Sequence, residues 1–276
     1  MKYDEIGYWS EIKLDIVREF AGTYSRILNA QKSPSLYHIY IDAFAGAGIH
    51  VSKRTGEFVK GSPVNALLLN PPFREYHLID LDSKKVDSLK EIAEQHPNMK
   101  VHIYEGDCNR ILLDQIFPLA KYENYRRALC LLDPYGLHLN WEVIQTAGQM
   151  KSIEIFLNFP VADMNRNVLW HNPDKVDPNQ VVRMTAFWGD DSWHQAAYTT
   201  EGNLFGWEEK TDNKAVVEAF RTRLKKTAGF KYVPEPIPMR NKNGAVVYYL
   251  CFASQKPVAE NIVKDIFSKY RTRGRI

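Results

Sequence analysis

Between residues 37 and 159, five short apolar runs alternate with helical patterns, and this alternation constrains the fold more than any other feature of the chain. The runs are Tyr37–Asp42, Glu75–Asp80, Met99–Tyr104, Ala128–Asp133 and Ile153–Phe159. Ala128–Asp133 is apolar almost throughout, as expected for a central parallel strand buried on both faces. The intervening segments repeat apolar residues at three- and four-residue steps: Val86, Leu89 and Ala93, then Leu112, Ile116 and Leu119. Strands alternating with helices predict an open, mostly parallel α/β sheet with right-handed crossovers and helices on both faces.

The flanks extend this frame. Residues 9–29 carry Trp9, Ile12, Ile16, Phe20 and Tyr24 on one helical stripe, with Ser10 expected at the N-cap. A polar excursion, Ser52 to Lys60, precedes Gly61-Ser62-Pro63, where Ser62 suits an N-cap and Pro63 a first helical position. Asp212 is placed to cap a helix bearing Val216, Phe220 and Leu224. Phe230–Arg240 and Ala245–Ser254 flank Asn241-Lys242-Asn243-Gly244, a hairpin signal. Pro257 opens a last helix with Ile262, Ile266 and Tyr270 along one stripe. The expected fold is therefore α/β with a seven-stranded sheet and an antiparallel C-terminal hairpin. Residues 161–212 break the alternation and hold four tryptophans, Trp170, Trp188, Trp193 and Trp207. They are expected to form an insertion over the functional edge of a single domain spanning 1–276.

Composition narrows the class. With 276 residues, 45% of them hydrophobic and 25% charged, the chain can bury a large core and is neither disordered nor fibrous. No run approaches 18 apolar residues, so no membrane helix is expected. The first residues, Met1-Lys2-Tyr3-Asp4-Glu5, lack the apolar core of a secretory signal. Cys108, Cys130 and Cys251 are odd in number and far apart, which fits neither a disulfide framework nor a metal site and agrees with a cytoplasmic location. The net charge of +3 permits a polyanionic partner without requiring one.

In open α/β sheets ligands bind beyond the carboxyl ends of the strands. Those ends here are Asp42 with the turn Gly46-Ala47-Gly48, Asp80, Asp107, Asp133-Pro134-Tyr135-Gly136, and Asn158. Each has an ordinary reading as a turn or helix cap; four of them converging on one crevice is more specific. A dinucleotide fingerprint is not met, because Val51 stands where a third glycine is required. Asp42 would also repel a pyrophosphate, which disfavours a nicotinamide oxidoreductase. An acid there suits a cationic ligand, and S-adenosylmethionine carries an ammonium and a sulfonium. Asp80 is then expected to take its ribose hydroxyls and Asp107 its adenine amine, with Gly46 and Gly48 allowing close approach of the methionine part.

This layout resembles that of class I S-adenosylmethionine-dependent methyltransferases, with their Rossmann-like fold and antiparallel edge hairpin. Asp133-Pro134-Tyr135-Gly136 resembles the Asp/Asn-Pro-Pro-Tyr motif of adenine amino-methyltransferases, with the aromatic one position early. Asp42-Ala43-Phe44-Ala45-Gly46-Ala47-Gly48 with Gly61-Ser62-Pro63 is similar to the bacterial 23S rRNA adenine-N6 methyltransferase family, Phe44 replacing a histidine. Blocks from Trp9–Leu14 through Ile79–Asp82, Gly106–Asn109, Leu132–Gly136, Asn158–Pro160 and Tyr248–Leu250 resemble the three-Cys-motif partner protein family, whose genes lie beside a cysteine-motif protein. The resemblance implies a methyltransferase with Asp133, Pro134 and Tyr135 at the transfer site. It implies Asp42, Phe44, Gly46, Gly48, Asp80, Asp107 and Cys108 around the cofactor, and Asn158 and Arg166 near the substrate. Nucleic acid and the three-Cys-motif protein are the expected partners, with no metal; a silent accessory protein that binds cofactor without turnover is the alternative.

Other features have two readings. Lys13 could reach the cofactor carboxylate, but a solvated lysine is the more ordinary expectation. The insertion tryptophans could stack on unpaired bases or form a satellite core. Arg126-Arg127, Lys225-Lys226 and the basic end Lys269–Arg275 could track phosphates or simply be solvated.

Overall fold

A computed structural model describes residues 4–200 and 208–271. In chain order the elements are β1 (Asp4–Ile6), α1 (Tyr8–Ala30), β2 (Tyr37–Asp42), β3 (Ile49–Ser52), β4 (Phe58–Lys60), α2 (Ser62–Leu67), β5 (Glu75–Asp80), α3 (Ser83–Glu94), β6 (Val101–Glu105) and α4 (Cys108–Ile111). There follow β7 (Arg126–Leu132), α5 (Trp141–Met150), β8 (Ile153–Phe159), α6 (Val161–Asn167), α7 (Pro178–Trp188), α8 (Trp193–Ala197), β9 (Tyr198–Thr199), β10 (Glu209–Lys210), α9 (Asn213–Lys226), β11 (Ile237–Arg240), β12 (Val246–Ala253) and α10 (Pro257–Arg271).

Seven strands form one sheet in the order β11-β12-β8-β7-β2-β5-β6. The five inner-sequence strands run parallel, and β12 and β11 add antiparallel pairings at one edge. This is the sheet the patterning predicts, hairpin included. Alternation along the strands divides the core. Ile39, Ile41, Cys130, Leu132, Ile155 and Leu157 face a layer holding Ile144 and Ala147 of α5 and Phe220 and Leu224 of α9. Tyr40, Leu129, Leu131 and Phe156 face Ile16 and Phe20 of α1 and Val263 and Phe267 of α10. All of these are buried, and each large apolar side chain so removed from water contributes roughly 1.5–3 kcal/mol.

Several local expectations change. Gly7, not Ser10, precedes the first helix, which begins at Tyr8. Gly61 precedes α2, so Ser62 and Pro63 are its first two helical residues. The polar stretch 52–60 holds the turn and second strand of a hairpin formed by β3 and β4, and β1 pairs in parallel with β3 to make a separate three-stranded sheet. Strands this short lack the alternation that periodicity detects. The helix after Asp107 is a single α-turn that widens into a π-turn at Leu112–Ile116 and tightens into a 3-10 turn at Phe117–Leu119, leaving Leu119 exposed. The cap at Asp212 is as expected, its carboxylate accepting from the Ala215 N–H at 2.7 Å.

Residues 161–212 contribute α6, α7, α8 and the pair β9–β10. Trp188 and Trp193 are buried in the core beside α9, which favours packing over base stacking for these two. Trp170 is half-exposed and its indole N–H donates to the Arg166 carbonyl at 2.8 Å. Trp207 and the basic residues Arg273 and Arg275 lie outside the described residues.

Candidate functional site

A cleft of about 300 Å³ opens at the carboxyl ends of the central strands. It lies where the order of connection reverses: β2 leads to β5 on one side, whereas β7 pairs with its other side. Neighbouring crossovers diverge at such a point and leave a crevice. Eight of the residues expected from the sequence line it: Phe44, Gly46, Asp80, Asp133, Pro134, Tyr135, Asn158 and Arg166. The other four, Asp42, Gly48, Asp107 and Cys108, do not line it; Asp42 and Cys108 are buried and Asp107 is exposed.

The turn after β2 is tied to β5. Gly46 has a φ of +66°, and its N–H donates to Asp80 Oδ2 at 2.8 Å. Asp80 Oδ1 accepts from the Asp82 N–H at 2.9 Å, so one carboxylate holds two turns. A Cβ on Gly46 would approach only His50 Cε1, at 3.6 Å, so the space above the turn is open. Gly48 serves packing instead. Its φ is +77°, its carbonyl accepts from the Gly61 N–H at 2.8 Å, and a Cβ there would meet Ile92 Cδ1 at 2.5 Å.

Asp42 is fully buried. It accepts from the Tyr40 hydroxyl at 3.3 Å and the Phe44 N–H at 3.4 Å. Burial pushes its carboxyl up to about 6, against the stabilising bond from Ser62. Asp107 caps α4, and both its bonds from Asn109, to the backbone N–H and the side-chain amide, fall on Oδ1. Cys108 is buried, and burial pushes its thiol up to about 12, which makes it an apolar wall element and not a nucleophile.

Asp133 ends β7 at the middle of the cleft and is ion-paired through Oδ2 with Lys13 Nζ. Lys13 is buried, with only 9% of its side chain exposed, so the expectation of a solvated lysine is corrected. Helix α1 crosses the sheet face with its polar first turns directed at the strand ends, and one-dimensional periodicity cannot show that meeting. Lys13 also lies 5.7 Å from the ring centre of Tyr248 on β12. Tyr135 is 72% exposed at the mouth, with Lys85 Nζ 5.7 Å from its ring centre. The following Gly136 has a φ of +64°, and a Cβ there would meet Asp163 Oδ2 at 2.6 Å. Asn158 lines the cleft with a buried Oδ1 that has no partner. His50 Nδ1, on β3, is likewise buried without a partner; burial and the nearby Lys13 charge hold that imidazole below its usual range. Neither His50 nor Asp4, which pairs with Lys85 at 2.7 Å, was among the expected site residues, because the small sheet that carries them was not.

The remaining basic pairs sit elsewhere. Arg126 opens β7, at the opposite end of the sheet from the cleft, paired with Glu75 at 3.5 Å, and Arg127 stacks on Tyr122 at 3.7 Å. Among the described residues no group of His, Cys, Asp or Glu is arranged to hold a metal, and no helix is long and apolar enough to cross a membrane.

No protein-family model and no curated protein matches the chain. Solved structures do. The protein LPL1258 from Legionella pneumophila, described with the family model DUF519, superposes with a TM-score of 0.52 at 14% identity over 95% of this chain and 93% of its own. The bifunctional kinase-methyltransferase WbdD gives 0.45 at 12% identity over 88% of this chain and 39% of that one. A putative methyltransferase, yhhF from Escherichia coli, gives 0.31 at 13% identity over 49% and 65%. The shared feature is an α/β architecture with a seven-stranded mixed sheet and an antiparallel edge hairpin. At these identities the likeness concerns architecture alone.

Proposed function

We propose that the chain is an S-adenosylmethionine-dependent methyltransferase acting on a nitrogen of nucleic acid, of the adenine-N6 type. The observation that supports this best is the meeting of Asp133-Pro134-Tyr135 and the unpartnered Asn158 Oδ1 with Gly46 and Asp80 in one cleft. The residues fit the cofactor's chemistry. Its ammonium and sulfonium suit a cleft with Asp80 and Asp133 on its wall, its carboxylate suits Lys13, and Gly46 leaves room above the turn. Asp80 would hold the ribose. Asp107, whose Oδ2 takes no bond from Asn109, would hold the adenine amine, with Phe44 and Cys108 bordering it. Asp42 and Gly48 would shape the turn from behind.

When bound, the cofactor supplies an electrophilic methyl group. The chain's own contribution is positioning and charge. Lys13 engages Asp133 Oδ2, which leaves Oδ1 and the Pro134 carbonyl to accept the two N–H groups of a substrate amine. Holding both N–H groups frees the nitrogen lone pair from the ring and offsets its developing positive charge. Tyr135, exposed at the mouth, is available to stack on a base drawn out of its strand. In this reading the chain works as one unit, with residues 161–212 contributing Arg166 and α6 to the substrate side of the cleft.

The test is incubation with cofactor labelled in its methyl group plus total RNA, DNA and protein. Label is expected in nucleic acid, with the single-turnover rate about a hundredfold lower for Asp133→Ala, which removes the acceptor, and cofactor affinity retained. Label confined to protein would overturn the substrate class. The Lys13–Asp133 pair favours a second reading, because it occupies the acid that the transfer would use. A silent accessory protein would bind cofactor, label nothing and co-purify with a three-Cys-motif protein.

A further inference from the structure

We propose that a groove beside the cleft, walled by two hairpin tips, grips the sugar-phosphate backbone of the strand whose base enters the cleft; the proposal rests on the substrate reading above and assigns where that strand runs. One tip is the turn between β3 and β4, carrying Lys53 and Arg54. The other is the turn between β11 and β12, with Arg240 at its base and Lys242 at its apex. Between them lies the start of α1, Gly7-Tyr8-Trp9. Together these residues, with Asn241 and Asn243, line a groove of about 540 Å³ that no acidic side chain enters. The four cations come from segments nearly 190 residues apart in sequence, roughly the separation of Arg54 and Arg240. Charge runs along the chain therefore do not reveal them.

The cations are exposed and mostly uncommitted. Among the described residues Lys53, Arg240 and Lys242 form no ion pair. Arg54 lies 3.8 Å from Glu11 and 5.0 Å from the ring centre of Tyr8. The tips that carry them are held in shape. Ser52 N–H donates to the Glu57 carbonyl at 2.9 Å, and the Asn241 side chain accepts from the N–H groups of Asn243 and Ala245 at 2.9 and 3.1 Å. Arg240 itself donates to the Gly244 carbonyl at 2.8 Å, which leaves the rest of its guanidinium outward.

Trp9 connects the groove to the cleft, since it lines both. Its ring lies against Gly7, where a Cβ would come within 2.5 Å of the ring atoms. A small substrate that fits the cleft has no use for four cations outside it. An acidic peptide would use the charge but not the aromatic surface of Tyr8 and Trp9. A single-stranded polynucleotide uses both, its phosphates on the cations and its bases on the rings. The other basic pairs, Arg126-Arg127 and Lys225-Lys226, do not border the cleft.

Four phosphate contacts predict a log–log salt slope of roughly −3 for single strands. The probes are a fluorescein-labelled 20-nucleotide single-stranded RNA and the DNA of the same sequence, measured by anisotropy from 50 to 300 mM KCl. The variant is Lys53→Gln, Arg54→Gln, Arg240→Gln and Lys242→Gln together. A charge-matched control changes the exposed Lys151, Lys225, Lys226 and Lys231 to Gln. The groove variant is expected to bind at least tenfold more weakly at 50 mM KCl, with most of the slope gone, while the control behaves as the wild type. Equal loss in both variants, or unchanged binding in the groove variant, overturns the proposal. So does polyglutamate of matched charge competing as well as unlabelled RNA, because the groove then serves an acidic protein. Cofactor binding, followed by calorimetry on the same samples, separates the two readings. If it is absent in the wild type the methyltransferase reading fails, while the anisotropy result still decides the groove.

Discussion

Replacing Lys13 by Met removes a buried cation from between two acids while keeping most of its apolar volume. The carboxylate of Asp133 then loses its ion-pair partner, and the fully buried Asp42 loses a charge that favours its ionised form. Breaking a fully buried pair costs about 3–5 kcal/mol, whereas an exposed pair contributes about 0–1 kcal/mol. Side-chain exposures of 9% for Lys13 and 24% for Asp133 place this pair between those limits, so Lys13→Met is expected to lose roughly 2–3 kcal/mol at pH 8. The loss depends on pH in a definite direction. Asp42 has its folded pKa raised to about 6 from an ordinary 3.8. Its charged form is thus a burden that appears as pH rises from about 4 and is complete above about 6. Without Lys13 that burden grows, so the variant's deficit should be larger at pH 8 than at pH 5. Urea denaturation at both values, on Lys13→Met, Asp133→Asn and the double variant, closes a cycle. A coupling of about 1–3 kcal/mol is expected, with the double variant more stable than the sum of the singles implies. Coupling near zero, or a deficit identical at the two pH values, would refute the reasoning.

Three further outcomes are expected. Glu154 is buried with Oε2 unpartnered, and burial pushes its carboxyl up to about 7 from 4.5. Glu154→Gln should therefore raise stability by up to roughly 3 kcal/mol at pH 8 and leave it unchanged near pH 4; an equal urea-midpoint shift at both would sink this. Gly48→Ala meets both a left-handed backbone and the Ile92 side chain, and should cost about 1–3 kcal/mol in thermal unfolding; a loss under 0.5 kcal/mol would show the turn to be adaptable. Trp188→Ala, at a site 1% exposed, should cost about 3–5 kcal/mol, while Trp170→Ala, at a site 40% exposed, should cost under about 1 kcal/mol. Comparable losses would mean that the two tryptophans do not divide between core and surface.

The sequence by itself determines the sheet and the ends of its strands. Glu75–Asp80 and Ile153–Phe159 coincide with β5 and β8, and the Asn-Gly turn correctly joins β11 to β12. These features are local: alternation, caps and turn chemistry act within a few residues, and a parallel sheet then has few ways to connect them. The same locality brings Gly46, Asp80, Asp133 and Asn158 to one crevice, because each lies at the carboxyl end of a strand of that sheet or in the turn that follows it. Tertiary structure alone decides what those groups touch. Lys13 belongs to a helix 120 residues before Asp133 and reads as an ordinary surface lysine until α1 is laid across the sheet. His50 and Asp4 enter through a three-stranded sheet too short for any period to register. Trp188 reads equally well as a stacking platform or as core until α7 and α9 pack its ring against Phe220 at 5.4 Å. In each case the deciding contact joins residues far apart in the chain. Its energy comes from burial and charge pairing in three dimensions, which leave no periodic mark on the sequence.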